Sequence, residues 1–315
     1  MSTNPPAGRP TVVVVGAATR DLASDDPRGW RVGGGVSYSA LATARLGLPT
    51  GALVGVDDAA ASAEELDVLR AAGVDVRLIP LEHGPVFQNV ERPEGRLQLC
   101  RDHSDLLDPS VVPDGWASAP GWILAPVAAE LPEEWADVPS DEATVALGWQ
   151  GLLRDLAVGG EVSHVAPRDS RIVRRADLVG ISRDDIDPAF PVADLLGLLR
   201  PGATLAVTQG DRGGLVMDAD TTGPRRVRHY PAVLSHDVVD PTGAGDVFLA
   251  ALAAARIEPR LVGGRIDRGY DLLLAAAAAS LVLEGWGTAG VPSRDAIRIR
   301  MAEASRRRGA SVGEG

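Results

Sequence analysis

The sequence contains no lysine: all 31 basic residues among its 315 are arginine. A phosphate loop ending Gly-Lys-Ser/Thr is therefore excluded, and so is Schiff-base lysine chemistry. Any phosphate group has to be held by backbone amides, arginine or a metal ion. Cys100 is the single cysteine, so no intrachain disulfide can form and no cysteine-based zinc site can assemble. Aromatic residues make up 4% of the chain against 45% hydrophobic residues overall, so a core built mainly from Val, Leu, Ile and Ala is expected. His83, His103, His164, His229 and His236 follow no metal-ligand spacing, and a structural or surface role is expected for each. No segment approaches about 18 uninterrupted apolar residues, and Met1–Pro10 has no apolar stretch of signal-peptide type. No membrane partner and a cytoplasmic location are expected. The net charge of −12 and pI near 4.9 leave no basic face for a phosphate backbone, so no nucleic-acid partner is expected.

What is there centres on Asp240-Pro241-Thr242-Gly243-Ala244-Gly245-Asp246, followed by the apolar run from Val247 to Ala255. This reads as a tight turn entering a strong helix. Gly243 and Gly245 leave no side chain over the turn. The first N–H groups of the helix have no partner within it and can face an anion. Asp246 stands at the mouth of that anion site, where a carboxylate can accept a proton. A phosphate cradle with its own base points to phosphoryl transfer to a hydroxyl. The plainer reading of the same residues is a helix cap and a glycine turn.

The remaining chain supplies further candidates. Thr11–Val15 is a β-branched run expected to be a buried strand ended by Gly16, with Asp21 shortly after it. Ligands gather at the carboxyl ends of strands in open α/β sheets, so Asp21 is a candidate for gripping substrate hydroxyls, or else a turn residue. Gly33-Gly34-Gly35 opens a helix from Val36 to about Leu46 and can admit a ligand to the backbone or act as a hinge. Ser62 with Glu65 reads as a capping box for the next helix. Val86–Val90 and Arg96–Leu99 flank Pro93-Glu94-Gly95 as a hairpin, with Asn89 and Arg101 as candidate substrate contacts. Ser182 and Asp185 follow another strand end and read equally as polar ligands or as a helix cap. Thr208, Gly210 and Gly213 lie in a Gly-rich turn between two strands, where a nucleotide can approach the backbone. Alternating strand and helix patterns predict a mostly parallel, helix-covered α/β sheet with a small β-lid.

Several of these stretches resemble the ribokinase-like (PfkB) carbohydrate kinases. They are the DPTGAGD string, the passage GGGVSYSALATARLG, the spacing from Gly16 to Asp21, and the Thr208-x-Gly210-x-x-Gly213 loop. Tyr38 stands where the family often has Asn, and Ser182-x-x-Asp185 stands where it commonly has Asn-x-x-Glu. The resemblance implies a three-layer α/β/α fold. It implies a kinase domain over 11–304 with lid segments near 22–35 and 78–103, while the polar composition of residues 1–10 and 305–315 predicts flexible ends. The resemblance also implies ATP and Mg²⁺, with K⁺ near Asp240 and Thr242 in parts of the family. Asp246 would be the base, and the backbone of Gly243, Ala244 and Gly245 the anion hole. Asp21, Gly33, Gly34, Gly35, Tyr38, Asn89 and Arg101 would contact the acceptor. Thr208, Gly210, Gly213, Thr242 and Ser182 would contact the nucleotide, with Asp185 holding metal through water. The Ala275–Ala279 helix would wall the adenine side. A sugar or sugar-like acceptor is implied, with a homodimer through the lid covering exposed strand edges. A nucleoside or inositol kinase on the same scaffold, with Tyr38, Phe87 or Trp30 stacking a base, is the neighbouring reading. A non-catalytic nucleotide- or sugar-binding regulator is the other.

Overall fold

A computed structural model describes residues 8–92, 95–219, 226–266 and 269–312. The expected flexible start therefore falls largely outside the described residues, as do Pro93 and Glu94 of the hairpin turn and the last residues of the tail.

The fold begins with the valine run. Strand β1 (Val12–Ala17) carries on through Gly16 rather than stopping there. Its side chains alternate between two cores, Val12 and Val14 to one face of the sheet and Val13 and Val15 to the other. Burial on both faces is why the run is uninterrupted by polar residues. After β1 the chain leaves the main sheet for β2 (Thr19–Leu22) and β3 (Trp30–Gly33), then enters helix α1 (Gly35–Arg45). It returns as β4 (Thr50–Val56), α2 (Glu64–Ala71) and β5 (Asp75–Pro80), which belongs to the main sheet and not to the lid. The hairpin β6 (Val86–Arg92) and β7 (Gly95–Asp102) follows. Next come β8 (Gly121–Leu124), β9 (Thr144–Gly148), the short pair β10 (Arg154–Asp155) and β11 (Ser163–His164), and α3 (Arg171–Arg175). Strands β12 (Leu178–Ser182), β13 (Thr204–Thr208), β14 (Gly214–Asp218) and β15 (Val227–Tyr230) complete the sheet. Helices α4 (Ala244–Ile257), α5 (Tyr270–Val282) and α6 (Arg294–Val312) complete the chain.

The main sheet runs β15-β14-β13-β12-β9-β8-β1-β4-β5. It is parallel except where β14 pairs antiparallel with β13 and β15. The lid is a second sheet in the order β3-β2-β6-β7. Helices α1, α4 and α5 cover one face of the main sheet. Ala250, Ala251, Ala253, Ala254, Ala275 and Ala277 are wholly buried there, and small side chains let α4 and α5 approach closely. Ala275–Ala278 of α5 are buried in this packing, and Ala279 is half-buried.

The core is mainly Val, Leu, Ile and Ala, as expected, and four tryptophans, Trp116, Trp122, Trp135 and Trp149, are buried on the other face of the sheet. Some expectations need correction. The layer on that face is made mainly of short 3-10 turns and α3 rather than long helices. Ser62 does not cap α2. Ala63 is the capping residue, and the Ser62 hydroxyl donates to the Ala59 carbonyl at 3.3 Å. Glu65 instead crosses to the lid, accepting from the Val32 N–H at 3.1 Å and from Arg28 at 2.8 Å. Residues 305–312 continue helix α6 rather than forming an irregular tail. The β7 edge is covered by this chain itself. Gly160 accepts from the Cys100 N–H at 3.0 Å, Gly159 donates to the Cys100 carbonyl at 2.8 Å, and Val162 donates to the Gln98 carbonyl at 2.9 Å. Dimerisation is therefore not required to protect that edge.

Candidate active site

The turn into α4 is built around Gly243. It caps the helix at φ 80°, a left-handed conformation that favours glycine. A Cβ there would also collide with the Tyr38 ring. Tyr38 is 2% exposed and packs under the turn, so it supports the loop and presents no face to a substrate or base. Its expected role in substrate contact is corrected accordingly. Phe87 is also 2% exposed, and the Trp30 ring is already engaged by arginine, with the guanidinium carbons of Arg28 and Arg20 at 4.8 and 6.0 Å from its centre. None of the three aromatics offers a free stacking surface. Replacing Gly243 with Ala is expected to lower the melting temperature by several degrees and activity by at least tenfold, since left-handed strain and the ring clash act together. Thermal melts beside turnover assays check this.

Asp240 braces the front of the loop. One of its oxygens accepts from the Thr242 N–H at 2.9 Å and the other from the Gly287 N–H at 3.1 Å. The Ala244 N–H turns back to Pro241 at 3.4 Å, a long bond, and Gly245 faces open space. The helix N-terminus is thus accessible at Gly245, which suits an anion.

Asp246 lies in the first turn of α4, and its carboxylate rests against the start of α1. A Cβ on Gly35 would lie 2.7 Å from its Oδ1. Gly34, at φ 91°, lets the chain turn there; a Cβ would lie 2.5 Å from the Ala17 carbonyl. The triple glycine therefore brings the β1 end, the lid and the α4 turn into contact. Crowding around the Asp246 carboxyl pushes its pKa up to about 6. Burial is the main cause, with the Arg154 charge opposing it and the Asp185 charge adding to it.

Asp21 sits on β2 of the lid, not on a loop past β1. Its Oδ1 accepts from the Thr19 hydroxyl at 2.9 Å, and its other oxygen packs on Gly33. Asn89 accepts from Gln98 at 3.1 Å on the face of the hairpin that carries Phe87. Arg101 bonds Gln88 at 2.9 Å, on the opposite face by strand alternation. The two candidates cannot both face the acceptor, and Arg101 is corrected to a surface residue outside the site.

Ser182 and Asp185 close a capping box. The Asp184 N–H donates to the Ser182 hydroxyl at 3.3 Å, and the Ser182 N–H donates to Asp185 at 3.1 Å. Asp185 also accepts from Gln150 at 2.8 Å. Thr208 lies beside Ser182 in register at the ends of β13 and β12. In the loop that follows, Gly210 faces open space, while Gly213 backs onto Tyr230, where any Cβ would collide with the carbonyl.

Sequence reasoning gave no role to Arg154, Glu130 or Gln150. Arg154 follows β9 and projects over Phe87, its guanidinium carbon 5.6 Å from the ring centre. Its charge interacts with Asp185, Asp246, Asp21 and Glu130. Glu130 is fully buried and accepts from the N–H groups of Ala17 at 2.9 Å, Val127 at 3.0 Å and Ala128 at 2.8 Å, tying the β1 end to the loop after β8. The usable signal was position just past the ends of β8 and β9, where parallel sheets collect functional groups.

The chain is similar to known proteins in sequence and fold. Residues 171–294 match the model of the pfkB family of carbohydrate kinases. Over 88% of its length the chain is similar to the bifunctional protein HldE of Stutzerimonas stutzeri, 30% identical over 294 residues. HldE of Pseudomonas putida strain W619 is 30% identical over 291 residues. The chain spans 57% of the length of those relatives. Its fold is that of Giardia lamblia ribokinase (TM-score 0.71, 18% identity, 94% of this chain and 99% of that one). It is equally that of a pyrophosphate-dependent ribokinase-family kinase solved with a pyrophosphate analog and myo-inositol (TM-score 0.68, 17% identity, 91% and 99%).

Proposed function

We propose that the chain transfers a phosphoryl group to a hydroxyl of a small sugar or sugar-like molecule, with ATP as donor. The observation that carries this reading is the Asp246 carboxyl. It stands inside the open N-terminal turn of α4, next to the lid glycines, with its pKa moved toward neutrality. A general base works best when its pKa approaches the working pH. Asp246 takes the proton from the acceptor hydroxyl. Asp21 and the Gly33–Gly35 backbone orient that acceptor, with Asn89 on the same hairpin face as Phe87. The backbone of Gly243, Ala244 and Gly245 stabilises charge on the transferring group. Arg154 supplies a cation at this point in a chain without lysine. Thr208, Gly210 and Ser182 line the nucleotide side, with Thr242 at the loop.

The donors around the loop are carboxylates, Asp185 and Asp246, a hard oxygen set that suits magnesium. Asp185 would hold the ion through water, since both its oxygens already accept protein N–H groups. Magnesium, when bound, neutralises phosphate charge. A monovalent ion such as K⁺ at Asp240 would share oxygens already engaged by Thr242 and Gly287.

The test is product formation from a panel of aldoses, myo-inositol and nucleosides, with ATP or pyrophosphate as donor. Phosphorylated sugar with ADP release supports the reading. Binding of nucleotide and sugar without product from any donor would assign a regulator instead. The pH profile follows from Asp246. The base must be deprotonated, so kcat/KM is expected to rise through about pH 6 and level off above it. A profile flat from pH 5 to 8 would remove Asp246 from the role. No helix among the described residues is long and apolar enough to cross a membrane. A cytoplasmic location remains the working assumption for the assay. A homodimer would use the β3 edge of the lid, since the chain covers the β7 edge itself.

A further inference from the structure

The lid hairpin is bracketed by histidines. His83 lies shortly before β6 and His103 directly follows β7, so the hairpin returns the chain to its starting point. Their rings stack with centroids 4.8 Å apart and planes at 22°. Asp105 completes a cluster whose ligand atoms all lie within 4.8 Å of one another. The backbone beneath is already locked: the His83 N–H donates to Asp105 Oδ2 at 2.7 Å, and the Asp105 N–H donates to the His83 carbonyl at 3.0 Å. The first of these bonds orients the carboxylate so that its other oxygen, Oδ1, lies 3.5 Å from His83 Nδ1. Asp102 Oδ1 lies 3.3 Å from His103 Nδ1, the kind of carboxylate partner that fixes a metal-binding imidazole from behind.

We propose that His83, His103 and Asp105 bind one divalent transition-metal ion of the zinc, cobalt or nickel class, which clamps the two ends of the lid hairpin together. Two imidazoles and one carboxylate are the three protein ligands of an open tetrahedral site, with water as the fourth. Imidazole selects these metals over magnesium. Bonds of about 2.0–2.1 Å place tetrahedral ligand atoms roughly 3.3 Å apart, so closing on an ion requires shifts of about 1 Å. The two imidazole side chains are 42% and 50% exposed and have room to make them. The cluster uses none of the groups assigned to phosphoryl transfer, so it does not depend on that reading.

Calorimetry with ZnCl₂ on untagged protein, paired with Co²⁺ absorption, tests the site. One ion per chain is expected. Affinity should fall at least tenfold in His83→Ala and in His103→Ala, and stay unchanged in His229→Ala, an exposed histidine on β15. Because these side chains are exposed, melting temperatures in EDTA should match the parent for every variant. Zinc should also slow amide exchange at both ends of the hairpin. Equal affinity in parent and both cluster variants overturns the site. Binding without slower exchange overturns the clamp.

Discussion

Asp246→Asn is expected to lower kcat by about 10²–10⁴-fold, the usual worth of a positioned base, while leaving the fold and nucleotide binding in place. The amide has the same shape and can rest against Gly35 as the carboxyl does. It cannot take a proton. The stability effect has the opposite sign. The Asp246 pKa is raised in the fold from 3.8 to about 6, so the folded chain holds that proton more tightly than the unfolded chain. Folding therefore loses stability as pH rises from about 4 to about 6, by at most about 3 kcal/mol for this one group. Asparagine removes that penalty. The variant should melt at or above the parent temperature at pH 8 and turn over far more slowly. Near-normal turnover would falsify the assignment of the base.

Arg154→Met should produce the second large effect. Methionine retains the apolar stem that lies over Phe87 but removes the positive charge that opposes the rise in Asp246 proton affinity. Two consequences separate. Charge on the transferring phosphoryl group loses a stabilising partner, and kcat is expected to fall by about 10²–10³-fold. The base also becomes harder to ionise, so the rising limb of the pH profile should move above pH 6. A merely structural role for Arg154 would reduce stability without moving that limb. Measuring kcat/KM from pH 5 to 9 for both proteins decides between them.

The legible parts of this protein were those where one local stretch sufficed. The DPTGAGD turn, the valine strand and the glycines before α1 each carry their conformation in adjacent residues, and they meet at the candidate site. Asp21 was legible as a candidate but misplaced, because a strand leaving the main sheet for the lid looks like a loop in sequence. Tyr38 was misread for a different reason. A tyrosine on a buried helix and a tyrosine in a binding site have the same pattern, and only its packing beneath Gly243 separates them. Ser182 and Asp185 satisfied both readings in sequence, and their mutual hydrogen bonds show the cap.

Taken alone, the sequence determined that phosphate must be met without lysine, that a carboxylate follows a glycine turn at a helix start, and that the fold alternates strands and helices. These are properties of composition and of contacts within a few residues. The tertiary structure alone decided which carboxylate changes its proton affinity, which arginine opposes that change, and which histidines meet. Asp246, Asp185, Asp21 and Glu130 come from four distant segments and converge on Arg154 only when parallel strands align their carboxyl ends. Electrostatics depends on distance and exclusion of water, and neither is written along the chain.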